Sequence, residues 1–198
     1  MMPINKMTMV ATLSSTLLLT ACNAPSGGGT ANGTATAETS ASGSTGGGTK
    51  PPGNWNATDA CALLDKATVG AALGTQVTEA QLGMVHQADG SAAATSECTY
   101  TLAGGGNASF MARWSPIADN SDGAMNAAKN AAAASIKAFS DKPVEDIAGL
   151  GKKAFFVPGI NQLNVFIGED KFVIITLASA DNASAKGIAI ALAKKIGA

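Results

Sequence analysis

The sequence predicts an α+β domain: an antiparallel sheet of about five to six strands with helices packed on it and one intradomain disulfide. Three observations lead there. Glu97–Ala103 alternates, with Cys98, Tyr100 and Leu102 on one face and Thr99 and Thr101 on the other. Gly104-Gly105-Gly106 then turns the chain into a returning run where Ala108, Phe110, Ala112 and Trp114 share a face, which is a hairpin. Between such runs lie stretches of helical period, notably an alanine-rich one with Met125, Ala128, Ala132, Ile136 and Phe139 on one stripe. Local hairpins interspersed with helices favour α+β over a parallel sheet.

Taken in order, Thr58 is a candidate cap for a short helix from Asp59 to Leu64. Asp65 caps a second, Lys66–Leu73, which Gly74 stops; Val69 and Leu73 lie four apart on one side. Gln76–Met84 reads as a strand, and the polar stretch His86–Ser96 as a loop. After the hairpin, Asn120 or Ser121 starts the alanine-rich helix to about Phe139, and Pro143 ends any continuation. A Gly149-Leu150-Gly151 bend precedes three strands, Lys153–Val157, Gln162–Ile167 and Lys171–Ala178. The last two are joined by a tight turn at Gly168-Glu169-Asp170. Ile174, Ile175 and Leu177 mark the last strand as central and covered. Asp181 or Asn182 caps a final helix whose Ile188, Leu192 and Ile196 repeat every four residues.

The 198 residues divide into three segments. In residues 1–21, Lys6 and the amino terminus form a short positive region, followed by the mostly apolar Met7–Leu19, too short to span a bilayer comfortably. It ends in Leu19-Thr20-Ala21-Cys22, which resembles the lipobox of bacterial lipoproteins. That resemblance implies cleavage before Cys22, a diacylglyceryl thioether on its sulfur and an acylated mature N-terminus. Several acyl chains hold stably where one holds weakly. Asn23 follows where an Asp commonly retains lipoproteins in the inner membrane. The resemblance therefore implies the periplasmic face of an outer membrane in a two-membrane cell, and otherwise the outer leaflet of the plasma membrane.

Residues 22–54 carry the lipidated Cys22 and a Gly/Ser/Thr run with no aromatic residue, Leu, Ile, Val or Met. Nothing there offsets the cost of ordering the backbone, so the run is expected to be a disordered tether reaching on the order of 30 Å. Residues 55–198 hold all nine aromatic residues and form the folded domain, long enough to bury its own core. With Lys6, Lys50 and Glu38 set aside, it carries 11 Lys and Arg against 13 Asp and Glu. That balance excludes a strongly basic nucleic-acid binder. No run of about 20 apolar residues marks a membrane span.

With Cys22 assigned to lipid, Cys61 and Cys98 remain as a pair in an oxidising compartment and are expected to form a structural disulfide. A metal pair or redox couple is the rival, but close-spaced Cys or His partners and a CxxC are missing. The segment Asp59-Ala60-Cys61-Ala62-Leu63-Leu64-Asp65, with Val69, Leu73-Gly74, Cys98-Thr99-Tyr100 and Gly149-Leu150-Gly151, resembles a family of small bacterial lipoproteins of uncharacterised function. Its pattern is D-x-C-x-L-L-T-x-x-E-V-x-x-x-L-G…C-x-Y. The resemblance implies fold and location and transfers no active site.

Catalytic chemistry finds little purchase. His86 is the single histidine, flanked by no nucleophile elbow. Glu145-Asp146 and Glu169-Asp170 are adjacent acids of the kind turns commonly carry. Asp119-Asn120-Ser121-Asp122-Gly123 has its glycine one place early for a calcium loop, with no Glu at the required distance, and reads better as a helix cap. Gly149-Leu150-Gly151-Lys152-Lys153-Ala154 leads into a strand, so it is not a dinucleotide loop. No catalytic, cofactor or metal residue is assigned. The expected function is a non-catalytic binding module at a membrane surface, its partner an envelope protein, a glycan or a small ligand. The alternatives are a periplasmic hydrolase using carboxylates assembled by the fold, or a carrier of a small hydrophobic ligand in a cavity between sheet and helices.

Overall fold

Ser96, Cys98 and Tyr100 alternate with Thr95, Glu97 and Thr99 along one strand, and the fold builds outward from that alternation. The computed structural model describes residues 53–178 and 180–198. The expected leader 1–21, Cys22 and the tether as far as Pro52 lie outside the described residues.

Seven strands form one antiparallel sheet: β1 Val77–His86, β2 Ala94–Leu102, β3 Asn107–Trp114, β4 Glu145–Ile147, β5 Lys153–Val157, β6 Gln162–Ile167 and β7 Lys171–Thr176. Their spatial order is β1-β2-β3-β7-β6-β5-β4, which makes β7 the central strand, as its Ile174-Ile175-Thr176-Leu177 run predicted. Four helices accompany them: α1 Ala60–Leu63, α2 Lys66–Leu73, α3 Asp122–Ile136 and α4 Asn182–Lys195.

Period-two alternation gives the sheet two unlike faces. The first carries Cys98, Tyr100, Phe110, Trp114, Phe156, Leu163, Val165, Val173 and Ile175, all buried. Against it pack α1, α2 and α4 through Ala60, Leu64, Val69, Ala185, Ala189, Leu192 and Ala193. These side chains form the larger of the two cores. The second face has its own smaller core, where Met125 and Ile136 of α3 meet Phe155, Val157 and Phe166. The Phe166 and Phe172 rings stack there at 4.5 Å. Every residue of both cores lies between Trp55 and Ala193, and Ser44–Ala198 is a compact unit by itself. That stretch therefore carries the contacts its fold needs.

Helix starts follow the capping chemistry. Asp65 accepts the Thr68 amide at 2.8 Å, Ser121 that of Ala124 at 3.2 Å, and Asp181 those of Ala183 and Ser184. Gly74 closes α2 in the left-handed conformation, φ +64. The first helix is capped by Asp59, not Thr58, whose hydroxyl turns back to the Asn56 side chain.

Four expectations are corrected. The strand count is seven, exceeding five to six; β4 has three residues, two of them acids, too few to show a period. The expected loop His86–Ser96 is shorter, because β1 runs to His86 and β2 begins at Ala94. Ala94 and Ser96 look like loop residues, yet they face the core where α1 approaches and only small side chains fit. The α3 stripe stops at Ile136: the chain turns there, and Phe139 is 84% exposed. In α4, Ala185, Ala189, Leu192 and Ala193 are buried while Ile188 and Ile196 are half-buried, the alanines letting the helix lie close to the sheet.

Candidate functional site

Helix α3 crosses only part of the second face. It covers β5 and the neighbouring ends of β6 and β7, and leaves the side chains of β1, β2 and β3 uncovered there. The strand register places them in rows. One row runs Glu97, Met111, Ile174 and Asn164 from β2 to β6, ending at Phe155 under α3. A second runs Gln81, Thr99, Ser109, Thr176 and Gln162, ending at Val157. Each row begins polar and ends apolar beneath the helix.

The polar members are held in place. Gln162 donates through Nε2 to Thr176 Oγ1 and Asn164 through Nδ2 to the Gln162 Oε1, both at 3.3 Å. Asn164 is 5% exposed although no strand-to-strand partner demands a polar residue there. Arg113 flanks the face and is fixed by Asp119, with Nη1 to Oδ1 at 3.0 Å. That guanidinium holds the Asp119 carboxyl below the usual range. The result is a half-buried, mixed polar surface on rigid strands, an arrangement suited to recognition.

The disulfide joins Cys61 of α1 to Cys98 of β2, with Cα atoms 5.0 Å apart, on the opposite, covered face. His86 lies exposed at the end of β1 opposite Thr95, a strand position where a polar loop was expected. The adjacent acids are separated by the pleat. Glu145 reaches Lys186 on α4 at 2.7 Å while Asp146 reaches Lys129 on α3 at 2.6 Å, so the two carboxylates point to opposite faces. Glu169 pairs with Lys152 at 2.6 Å, and Asp170 accepts the Trp114 indole N–H at 2.9 Å. Asp119 to Gly123 forms the α3 cap: the Asn120 amide donates to the carbonyls of Gly168 and Lys171, tying the helix start to the β6–β7 turn. Gly149 and Gly151 make a bend at positive φ before β5.

Asp122 and Asp146 share a shallow groove of about 430 Å³ beside the Gly149–Gly151 bend. The Lys129 hydrogen bond lowers the Asp146 pKa. Among the described residues, no group of three or more His, Cys, Asp or Glu could hold a metal ion. Likewise no described helix is long and apolar enough to cross a membrane.

The surface rows were not foreseen as a site. Their signal was the outward half of the strand alternation, Thr95, Glu97, Thr99 and Thr101, which is indistinguishable in sequence from an ordinary solvated face. Comparison of the chain with protein-family models, curated proteins and solved structures finds no match.

Proposed function

We propose that this chain is a lipid-anchored cell-envelope lipoprotein whose domain is a non-catalytic binding module. Cys22 carries the lipid, the Gly/Ser/Thr segment is the tether, and Asn23 favours the periplasmic face of an outer membrane, or the outer leaflet where there is one membrane. The observation that carries the binding role is the uncovered sheet face, where Glu97, Thr99, Met111 and Ile174 stand in register on rigid strands. The partner is an envelope protein, a glycan or a small ligand that meets both amide or hydroxyl groups and a methionine–isoleucine patch.

The distribution of acids supports this role over a hydrolase. A general acid at neutral pH needs a raised pKa, and the shift at Asp146 runs the other way.

Two measurements test the reading. A fatty-acid label should enter the wild-type chain and be lost with Cys22→Ser; equal labelling of both overturns the anchor. A photo-crosslinking residue at Thr99 should give a discrete adduct in intact cells that Met111→Asp abolishes. Failure to form one, with hydrolytic activity in the purified chain, overturns the binding module.

A further inference from the structure

At the C-terminal end of α3 the chain turns through residues 137–142 and comes back at Pro143, leaving a groove of about 600 Å³. Its floor is aliphatic, from Ala133, Ile136, Pro143 and Val144. Lys137 and Lys142 stand on its rim, and among the described residues neither ammonium has an ion-pair or hydrogen-bond partner. This contrasts with the neighbouring lysines: Lys129 is paired with Asp146, and Lys153 donates to the Asn126 side chain. Asp141 also lines the groove and offsets part of the charge, leaving a positive excess. Between the two rim lysines, in the same turn, Phe139 projects into solvent at 84% exposure, the most exposed large hydrophobic side chain of the described residues. The β5–β6 turn closes the end of this region, with Gly159 against Ser140.

Each feature is costly or idle for folding alone. Burying Phe139 would have contributed stability, and two unpaired lysines beside apolar surface contribute none. Together they describe a ligand with an alkyl part and an anionic end. The volume falls within the range of small-molecule sites.

We propose that this groove binds a single-chain anionic amphiphile of fatty-acid type. The alkyl chain lies along Ala133, Ile136, Pro143 and Val144, the carboxylate sits between Lys137 and Lys142, and Phe139 folds over the chain. The site is separate from the sheet face and requires neither the lipid anchor nor the partner proposed above. An acidic, apolar peptide is the competing class.

The test uses Ser44–Ala198 titrated with dodecanoate below its micelle concentration and followed by amide chemical shifts. Saturable shifts centred on Ala133 and Val144 are expected, with binding by acetate at least a hundredfold weaker. Lys137→Gln with Lys142→Gln should weaken dodecanoate by tenfold or more, and Ala133→Glu should abolish it. The Trp114 indole resonance and thermal midpoint serve as fold controls; the lysine variants, on exposed side chains, preserve the test if Ala133→Glu unfolds. Equal binding of dodecyltrimethylammonium would show mere apolar adsorption and overturn the proposal. So would an unchanged affinity in the double lysine variant, the absence of saturation, or tighter binding of an acidic leucine-containing peptide.

Discussion

Tyr100 donates its phenolic proton to the main-chain carbonyl of Leu64, inside the core and across 36 residues of sequence. It belongs to a set of three. Two residues earlier on the same face of β2, Cys98 is bonded to Cys61; two earlier again, Ser96 donates to the Ala57 carbonyl and accepts the Ala60 amide, both at 2.8 Å. Alternate residues of one strand thus fasten the whole entering segment, residues 57–64, to the sheet. Burial raises the Tyr100 pKa, with a smaller push from Asp65, so the donor keeps its proton.

Removing that proton while keeping the ring isolates its worth. Tyr100→Phe leaves the Leu64 carbonyl buried without its partner, at a cost of about 1–3 kcal/mol. A urea titration should show a lower midpoint with an unchanged slope and the disulfide intact. An unchanged midpoint would mean that the carbonyl finds another donor.

The disulfide spans a separation of 37 residues. The chain-entropy model assigns such a loop roughly 4 kcal/mol. Replacing Cys61 and Cys98 by Ala should cost up to that amount, yet leave a cooperative unfolding transition, because Ser96 and Tyr100 still hold the same two segments together. Loss of the transition by circular dichroism would show that the hydrogen bonds alone do not suffice.

Two glycines should respond in opposite directions. Gly151 has φ +60, and a Cβ there would lie 2.4 Å from the Phe166 carbonyl oxygen and 2.9 Å from a Val165 methyl. Gly151→Ala should destabilise by more than about 2 kcal/mol, from backbone strain and displacement of β6. Gly187 lies within α4 with nothing near its missing side chain. Gly187→Ala should stabilise by about 0.5–1 kcal/mol through lost unfolded-state entropy. Thermal midpoints of the two variants check both signs.

Asp65 and Asp119 both have lowered pKa values, the first from the Thr68 amide and the second from Arg113. A carboxylate whose folded pKa lies below its unfolded value contributes stability above the unfolded pKa and loses it as pH falls through the folded one. Stability should therefore be level near neutrality and decline below about pH 4, the ordinary aspartate range. Asp119→Asn should flatten that decline and lower the plateau; an unaltered acid limb in denaturant titrations would assign the loss elsewhere.

The readable part of the fold is the part with period and punctuation. The β2–β3 hairpin showed itself because Cys98, Tyr100, Phe110 and Trp114 are large, alternate cleanly and flank three glycines. The helix caps Asp65, Ser121 and Asp181 were legible because capping is local chemistry. Where tertiary packing decides, the sequence is mute. Ala94 and Ser96 are core residues by virtue of a helix approaching from elsewhere, and Phe139 fits the α3 stripe by spacing yet falls beyond the point where the chain turns. The uncovered sheet face was hidden for the same reason: which half of a face α3 covers depends on where the chain crosses, and no residue in the strands records it.

The position of β7 also bears on when the molecule is complete. β1–β3 and β4–β6 are each consecutive antiparallel meanders, and they meet only through β7, which pairs with β3 on one side and β6 on the other. A chain delivered from its amino terminus therefore holds two half-sheets with an open slot between them until residues 171–176 arrive. During that interval β3 and β6 expose unpaired edges, the kind of surface on which association between chains begins. The keystone comes late, so a chain cut short before Lys171 lacks the strand that joins its halves and, with it, α4 and the core side chains Val173, Ile175, Leu177 and Leu192.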